Sequence, residues 1–206
     1  MTDRAAAPTP RSRSARTRMS SADRRTQLLD VAADIVSAGG ERALTIEAVV
    51  AKAEVHRPIV YRHFENAEAL LDAVLERELA ELHRATLVAV ADQVGFAPRL
   101  QAAVEAWMEL FARSPLLMSI ALVRKPSAPL LATRRKQQNA SAVKFLVGEL
   151  VDEGLTETDA EIVAVALFHA LSGIVQLWGA KKINRRVAID RFTRIAVGAA
   201  EACRTD

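Results

Sequence analysis

The chain has 206 residues, of which 50% are hydrophobic, so it can bury a substantial core and is not disordered throughout. Its single cysteine, Cys203, excludes an intramolecular disulfide, and neither a secretory signal nor an apolar run of membrane-spanning length is evident, so we expect a cytoplasmic protein. The net charge of +3 conceals a basic start, because residues 1–25 hold seven arginines against two aspartates. Abundant Ala, Leu, Glu and Arg favour helices, and we predict an all-α fold.

The first 20 residues combine arginines with Ser, Pro and Ala, and they carry too little apolar surface to fold alone. We therefore predict a flexible basic arm over 1–20. Such an arm can follow phosphates or enter the minor groove of DNA, and the candidates for these contacts are Arg16, Arg18 and, just beyond the arm, Arg24. The alternative is a solubilising tail with a chance cluster of arginines.

Hydrophobic spacing and capping residues predict three short helices and one long helix in the first half of the chain. These are expected over 22–38, from the N-cap Thr45 to 53, from 57 to about 64, and from the N-cap Asn66 to 95 or 98. Five further helices are expected from Pro98, from Pro115, over 130–153, from a capping box at Thr156, and over 189–202. The sequence thus predicts about nine helices.

The second and third helices, joined by a tight turn, fit a helix-turn-helix, whose second helix can enter the major groove of DNA. In the segment "AEVHRPIVYRHF", Val55, Ile59 and Val60 would face inward. Four donor residues would remain on the outside, where arginine can read guanine edges and tyrosine or histidine can bind phosphates: Arg57, Tyr61, Arg62 and His63. We predict a DNA-binding domain over 21–66, followed by a larger helical domain over 67–206.

The stretch "LTIEAVVAKAEVHRPIVYRHFENAEALLDAVL", together with the helix before it, resembles the tetracycline-repressor (TetR) family of bacterial transcriptional regulators. The resemblance is carried by Leu44-Thr45, by "YRHF" and by the Asn-capped "EALL", and it covers about the first third of the chain. It implies the following contacts with double-stranded DNA. Thr45 would cap the second helix and touch a phosphate, Tyr61 and His63 would bind the backbone, and Arg57, Pro58, Ile59 and Arg62 would lie closest to the bases.

Three residues depart from the family pattern. Glu54 occupies a turn that family members usually give to glycine, His56 stands where they usually have a Ser or Thr cap, and Ala67 replaces a frequent lysine. Residues 26–66 carry four basic against six acidic side chains, so we expect the arginine arm to assist DNA binding.

The eighth predicted helix has a broad apolar side, a stripe of small residues and a polar stripe, which indicates burial on more than one side. The family dimerises through its last two helices, which implies a two-fold interface and a pseudo-palindromic operator. The residues assigned to this homodimer interface are Ala166, Ala170, Gly173, Phe192, Ile195 and Ala199. The alternative is packing within one subunit.

The resemblance also implies a cavity among the helices of the larger domain. Candidate ligand contacts are Trp107, Met108, Phe111, Met118, Leu122, Phe145, Phe168, Ser172 and Gln176, although any of the apolar ones could be plain core. Because this lining looks largely apolar, we expect a small hydrophobic or aromatic effector. The polar stripe of His169, Ser172 and Gln176 could orient the effector or lie at the dimer interface.

We therefore expect a sequence-specific DNA-binding regulator, a repressor that its effector releases from the operator. The chain has no glycine-rich phosphate loop and no metal-ligand spacing, so we expect neither an enzyme nor a bound metal or cofactor, and no membrane partner. The alternative is a helical small-molecule carrier without a DNA function.

Overall fold

The computed structural model describes residues 19–122 and 129–204, without the side chains of 119–122 and 131. Within these ranges the regular structure consists of nine α-helices and one short 3-10 turn, which confirms the all-α prediction. The elements are α1 (Ser21–Gly39), the 3-10 turn (Glu41–Ala43), α2 (Ile46–Ala53), α3 (Arg57–Tyr61), α4 (Ala67–Val90), α5 (Phe96–Arg113), α6 (Pro115–Leu122), α7 (Pro129–Asp152), α8 (Glu157–Gly179) and α9 (Arg185–Cys203).

Three helices begin at the capping residues that the sequence predicts. The side chains of Thr45, Asn66 and Thr156 accept hydrogen bonds from backbone amides three residues ahead, at the starts of α2, α4 and α8. Two predicted starts were wrong. Helix α5 begins at Phe96 because Pro98 fits inside a first turn, and α9 begins at Arg185 because the side chain of Asn184 caps it.

An N-terminal cluster of buried side chains joins α1, α2 and α3 to the first part of α4. Val60 of the short α3 is fully buried in this cluster, and the contribution of α4 extends as far as Leu75. Helix α6 adds one residue, Leu116. The helix-turn-helix therefore rests on a closed core that two helices of the larger domain help to build.

A second cluster of buried side chains joins the later part of α4 to α5, α7, α8 and α9. Phe192 of α9 is fully buried here, and Leu100 and Met108 of α5 lie nearby in the same cluster. A bidentate ion pair ties α5 to α7, with Arg99 Nε and Nη2 at 2.6 and 2.8 Å from the carboxylate of the buried Glu149. This pair raises the pKa of Arg99, chiefly through the hydrogen bonds.

Helix α8 is long and apolar enough to cross a membrane, with a mean hydropathy of 1.8 over its most apolar window. The expectation that the chain has no such run was therefore wrong. The composition has a local cause, because α8 packs against α6, α7 and α9 and also keeps an apolar face exposed. Only 28% of that window is buried, and a helix with one side in the core and an exposed apolar face passes the same test of length and hydropathy as a membrane span.

Candidate nucleic-acid interface and effector cavity

The turn between α2 and α3 is made by Glu54, which adopts the left-handed conformation at φ 53° and ψ 44°. This is the residue at which family members usually carry glycine, and here a glutamate accepts the strain. After the turn, α3 begins without a side-chain cap from His56. The local geometry of a helix-turn-helix is thus kept at Glu54 and His56, two of the three residues that depart from the family pattern.

The outer face of α3 presents the donors that the sequence predicts. Arg57, Pro58 and Arg62 are exposed, and Tyr61 is 51% exposed although it is a large aromatic residue. Ile59 is half-buried, because Val60 beside it takes the inward position. A short helix with one side in the core and a row of guanidinium and phenol groups outside has the shape and chemistry for a DNA groove.

An acidic residue on α2 engages one of these donors. Glu47 Oε1 accepts a hydrogen bond from Arg57 Nη2 at 2.6 Å, and both side chains are more than half exposed. Tyr61 and Arg62, further along the same short helix as Arg57, are exposed as well. In the DNA-free protein, Arg57 is therefore held by a carboxylate rather than by solvent alone.

Two arginines at the start of α1 reach the end of α3. The guanidinium of Arg25 lies over the ring of Phe64, 4.9 Å from its centroid, and the half-buried His63 is next to it. Burial, followed by the nearby charges of Arg62, Arg25 and Arg24, lowers the pKa of His63 from its usual value. His63 is therefore mainly neutral at pH 7, within an otherwise cationic group.

Of the predicted arm contacts, only Arg24 lies in the described residues, and it donates a hydrogen bond to Gln27 on the next turn of α1. Arg16 and Arg18 lie outside them. Ion pairs also fix α1 against its neighbours: Lys52 of α2 is 3.1 Å from Asp34, and Arg77 of α4 is 2.7 Å from Asp30.

A cavity of about 550 Å³ lies between α4, α5, α6, α7 and α8. Five predicted ligand contacts line it, namely Trp107, Phe111, Phe168, Ser172 and Gln176. Neither Met108, which is 1% exposed within the core, nor the half-buried Met118, which packs against the same core, lines this cavity. Phe145 lines a neighbouring groove instead, and the side chain of Leu122 lies outside the described part.

One wall of the cavity is polar, which differs from the largely apolar lining that we expected. Helix α8 contributes the predicted stripe of His169, Ser172 and Gln176, so this stripe lines the cavity. Helix α7 adds Arg135, Gln138 and Asn139. The spacing of residues 135, 138, 139 and 142 places them on one face of a helix, and this could be seen in the sequence. Their charge and polarity, however, did not indicate that this face lines a pocket.

The side chain of Trp107 lines both this cavity and the neighbouring groove. Its Nε1 donates a hydrogen bond to Thr86 Oγ1 at 2.7 Å, and Thr86 in turn donates to the carbonyl of Leu82 at 2.8 Å. The Trp107 ring also meets Phe145 edge to face, with 5.7 Å between centroids. These contacts fix the indole in one orientation.

Two contacts connect the cavity with the DNA-binding unit, and sequence reasoning did not find either of them. Leu116 of α6 is buried in the N-terminal cluster, and its neighbour Leu117 is buried in the C-terminal cluster and lines the cavity. Arg134, next to Arg135 on α7, makes a bidentate ion pair with Asp72 near the start of α4, at 2.6 and 2.7 Å.

The predicted dimer face is partly present on the surface. Ile162, Ala166, Ala170, Gly173 and Leu177 share one side of α8, where only Ala170 is half-buried and the others are exposed. On α9, Ile195 is 49% exposed and Ala199 is half-buried. The assignment of Phe192 to the interface was wrong, because its ring is fully buried in the core of its own subunit.

Comparison with known proteins agrees with this architecture. The family model for bacterial regulatory proteins of the tetR family matches residues 28–74. The HTH-type transcriptional activator FasR of Mycolicibacterium smegmatis is 25% identical over 182 residues, which are 85% of this chain and 82% of FasR.

Solved structures are similar over most of the chain. A tetR-family transcriptional regulator from Streptomyces coelicolor has a TM-score of 0.71 at 18% identity, covering 88% of this chain and 80% of that one. The fatty acid degradation regulator FadR from Bacillus halodurans has a TM-score of 0.68 at 15% identity, covering 85% and 95%. These relatives are regulators and not enzymes. Residues 28–74, with their helix-turn-helix and exposed donor-bearing α3, match the tetR family of bacterial regulatory proteins, and the similarity to FasR extends over most of the chain, which supports a DNA-binding transcriptional regulator.

Proposed function

We propose that this protein is a cytoplasmic, homodimeric repressor that a small amphipathic effector releases from a pseudo-palindromic operator. The division into a basic arm over 1–20, a DNA-binding domain over 21–66 and an effector and dimerisation domain over 67–206 is part of this proposal. The observation that carries it is the pair of neighbouring leucines on α6, since Leu116 packs under the DNA-binding unit and Leu117 lines the cavity.

The DNA contacts follow from the exposed face of α3. Arg57, Pro58, Ile59 and Arg62 would lie toward the bases, and Tyr61 and His63 would bind phosphates on either side. Thr45 is exposed while its hydroxyl caps α2, so the same residue can hold the helix and meet the backbone. The arm residues Arg16 and Arg18, together with Arg24, would supply the positive charge that residues 26–66 lack.

The effector would act by binding one conformation better than the other. A ligand that displaces Leu117 must also move Leu116, because the two leucines are consecutive residues of one short helix. Movement of α6 would then shift the N-terminal cluster, and the Arg134–Asp72 ion pair would carry a shift of α7 to the start of α4. Either change alters the spacing of two recognition helices in a dimer.

A homodimer would cover the exposed apolar stripe on α8 together with Ile195 and Ala199 of α9. Small residues at Ala166, Ala170 and Gly173 allow close approach of two helices, and a Cβ added at Gly173 would meet no atom of its own subunit within 4 Å. The polar stripe of α8 lies beside this face, so the cavity and the proposed interface share one helix.

The test measures binding to the DNA region upstream of the gene by mobility shift at several salt concentrations. A regulator binds that region in preference to unrelated DNA, and its affinity falls steeply with salt. A reporter driven by the same region then shows the sign of control. Expression that rises on deletion of the regulator supports repression, whereas a fall would make it an activator, as the name of FasR states for that relative.

The link through α6 is tested by a matched pair of variants, Leu116→Ala and Leu117→Ala. Each removes one buried leucine, so each lowers the free energy of unfolding by about 2–5 kcal/mol. Only Leu117→Ala enlarges the cavity and changes effector affinity directly. If Leu116→Ala leaves the effect of ligand on DNA affinity intact, α6 does not couple the two sites.

A further inference from the structure

A second groove, of about 760 Å³, lies on the other side of the residues that enclose the cavity. The two spaces share five lining residues: Leu79, Leu82, Trp107, Gln138 and Ala142. They therefore meet between α4 and α7 beside the fixed indole of Trp107. A ligand long enough to fill both would occupy one elongated space that bends at Trp107, rather than a compact pocket.

The two ends of this space differ in chemistry. At the inner end, Arg135, Gln138 and Asn139 of α7 face the polar stripe of α8, and among the described residues that line this cavity none is acidic. Arg135 also interacts within the protein, and its five N–H donors allow one guanidinium to serve more than one acceptor. The neighbouring groove is lined by the apolar Ala80, Leu87 and Phe145 and also by polar and charged side chains, namely His83, Thr86, Gln137, Gln138, Ser141, Lys144, Glu149 and Asp152.

We propose that the effector is an elongated anionic amphiphile, with a carboxylate at Arg135 and an apolar chain that passes Trp107 into the groove between α4 and α7. This inference rests on the proposed function, because it names the ligand class of the same site. Arg135 and the amide and hydroxyl groups around it match a carboxylate, which accepts hydrogen bonds and carries the opposite charge. Leu79 and Leu82 match the part of the chain beside the indole.

The length of the space distinguishes this ligand from the compact hydrophobic effector that the sequence suggested. A compact ligand would fill the inner cavity alone, where Phe111 and Phe168 lie. An extended chain gains affinity with every methylene that leaves water, by about fourfold for each, until the outer groove is filled. Chain-length dependence therefore reports whether the two spaces are used together.

The first experiment uses the full chain with Trp178→Phe, which leaves Trp107 as the one tryptophan of a sequence that has two. Trp178 packs against the core and lines neither space, so the change spares the site. Octanoate, dodecanoate and hexadecanoate are titrated below their micellar concentrations, with the matching alcohols and amines. We expect the carboxylate of each length to bind at least about tenfold more tightly than the alcohol, with the amine weakest. An equal or reversed order would overturn the assignment of the anionic head.

The head-group contact is tested with Arg135→Gln against Lys136→Gln, a neighbouring exposed residue that lines neither space. Arg135→Gln should abolish the preference for carboxylates and leave alcohol binding within about twofold. Lys136→Gln should leave both unchanged. Equal losses in the two variants would show a general effect of positive charge and would overturn the role of Arg135.

Ala142→Phe tests whether the ligand chain passes Trp107. Ala142 lines both spaces, so a larger side chain there narrows the opening between them. Because Ala142 lines both spaces, octanoate should also lose some affinity, but hexadecanoate should lose at least about tenfold more, since only the longer chain must pass into the outer groove. Ala80→Phe narrows the outer groove alone at an exposed position, so it answers the same question if Ala142→Phe does not fold. Equal effects on both chain lengths in Ala80→Phe would overturn the extended binding mode.

The effect of hexadecanoate on DNA affinity separates this inference from the proposed function. If it binds with the expected pattern and DNA affinity stays the same, the ligand class stands and effector-controlled release fails. If carboxylates do not bind and a neutral or cationic ligand releases the DNA, the ligand class is wrong and the regulatory proposal stands.

Discussion

The DNA-binding unit and the effector domain place their polar groups on opposite sides of their cores. In the N-terminal unit the interior is closed around Val60, and the donors Arg57 and Tyr61 lie outside on α3. In the C-terminal domain the polar groups Arg135 and Ser172 face inward, toward a cavity that the core leaves open. A surface that reads DNA is set by one short helix, whereas a cavity depends on how five helices pack, so the two regions respond differently to substitution.

The largest expected effect distinguishes a buried residue of α9 from an exposed residue of α8. Phe192→Ala should lower the free energy of unfolding by about 3–5 kcal/mol, because the ring is fully buried in its own subunit. Thermal or denaturant unfolding measures this loss.

Ile162→Glu, at an exposed position of the proposed interface, should leave the subunit folded and make the dimer dissociate in sedimentation experiments. Val94→Glu is the control, since Val94 is 89% exposed and lies outside the proposed face. A dimer that survives Ile162→Glu would contradict the interface on α8.

The next largest effect should appear in DNA affinity and not in the stability of the fold. Arg57→Ala should weaken binding to the upstream region by about 1–3 kcal/mol and relax the preference for one sequence, because arginine reads base edges. The melting temperature should stay the same, since the side chain is exposed. Tyr61→Ala provides the comparison, as a phosphate contact should be lost about equally on all sequences. If both variants reduce specific and unrelated binding alike, Arg57 does not read a base.

A smaller effect should follow from removing the acidic partner of Arg57. Glu47→Gln frees the guanidinium and removes a negative charge from the DNA face, so affinity for all DNA should rise several-fold, by roughly 1 kcal/mol or less. The slope of log affinity against log salt should become steeper by about 0.9, the value for one more neutralised phosphate. Fluorescence anisotropy at several salt concentrations measures both. Weaker binding instead would mean that Glu47 orients Arg57 toward its base.

The smallest effect concerns pH. Because the pKa of His63 is lowered in the free protein, the side chain is mostly neutral at pH 7, and a nearby phosphate would favour its protonated form. DNA affinity should therefore rise by about threefold as pH falls from about 7.5 to about 5.5. Folding stability should move the other way, since a group with a lowered pKa loses its contribution as pH falls through that pKa. His63→Gln should remove both trends, and His83→Gln, far along α4, should remove neither.

The sequence predicted most of what depends on neighbouring residues. Thr45, Asn66 and Thr156 cap their helices, and Glu54 takes the left-handed turn, because each of these features is set within a few residues. The outward position of Arg57 followed from the same local pattern. The contacts with DNA and with a partner subunit stay predictions.

What the sequence did not predict depends on residues far apart in the chain. The partner of Arg99 is 50 residues away in Glu149, and the partner of Arg134 is 62 residues away in Asp72. Periodicity alone could not show that Met108 is core while Phe111 on the same helix lines a cavity, because both positions are apolar. The family resemblance placed Phe192 at an interface, where the packing of α5 and α9 instead encloses it.

The neighbouring leucines of α6 have a consequence for building chimeric regulators. Consecutive residues of an α-helix point about 100° apart, so Leu116 and Leu117 each reach one core only while the helix keeps its rotation. The hydroxyl of Ser114, which accepts a hydrogen bond from the amide of Leu117 at 3.1 Å, fixes where that rotation begins. A one-residue insertion after Ser114 would turn both leucines away from their cores. A DNA-reading module transplanted from another regulator must therefore be joined outside α6, with the count of residues from this cap unchanged.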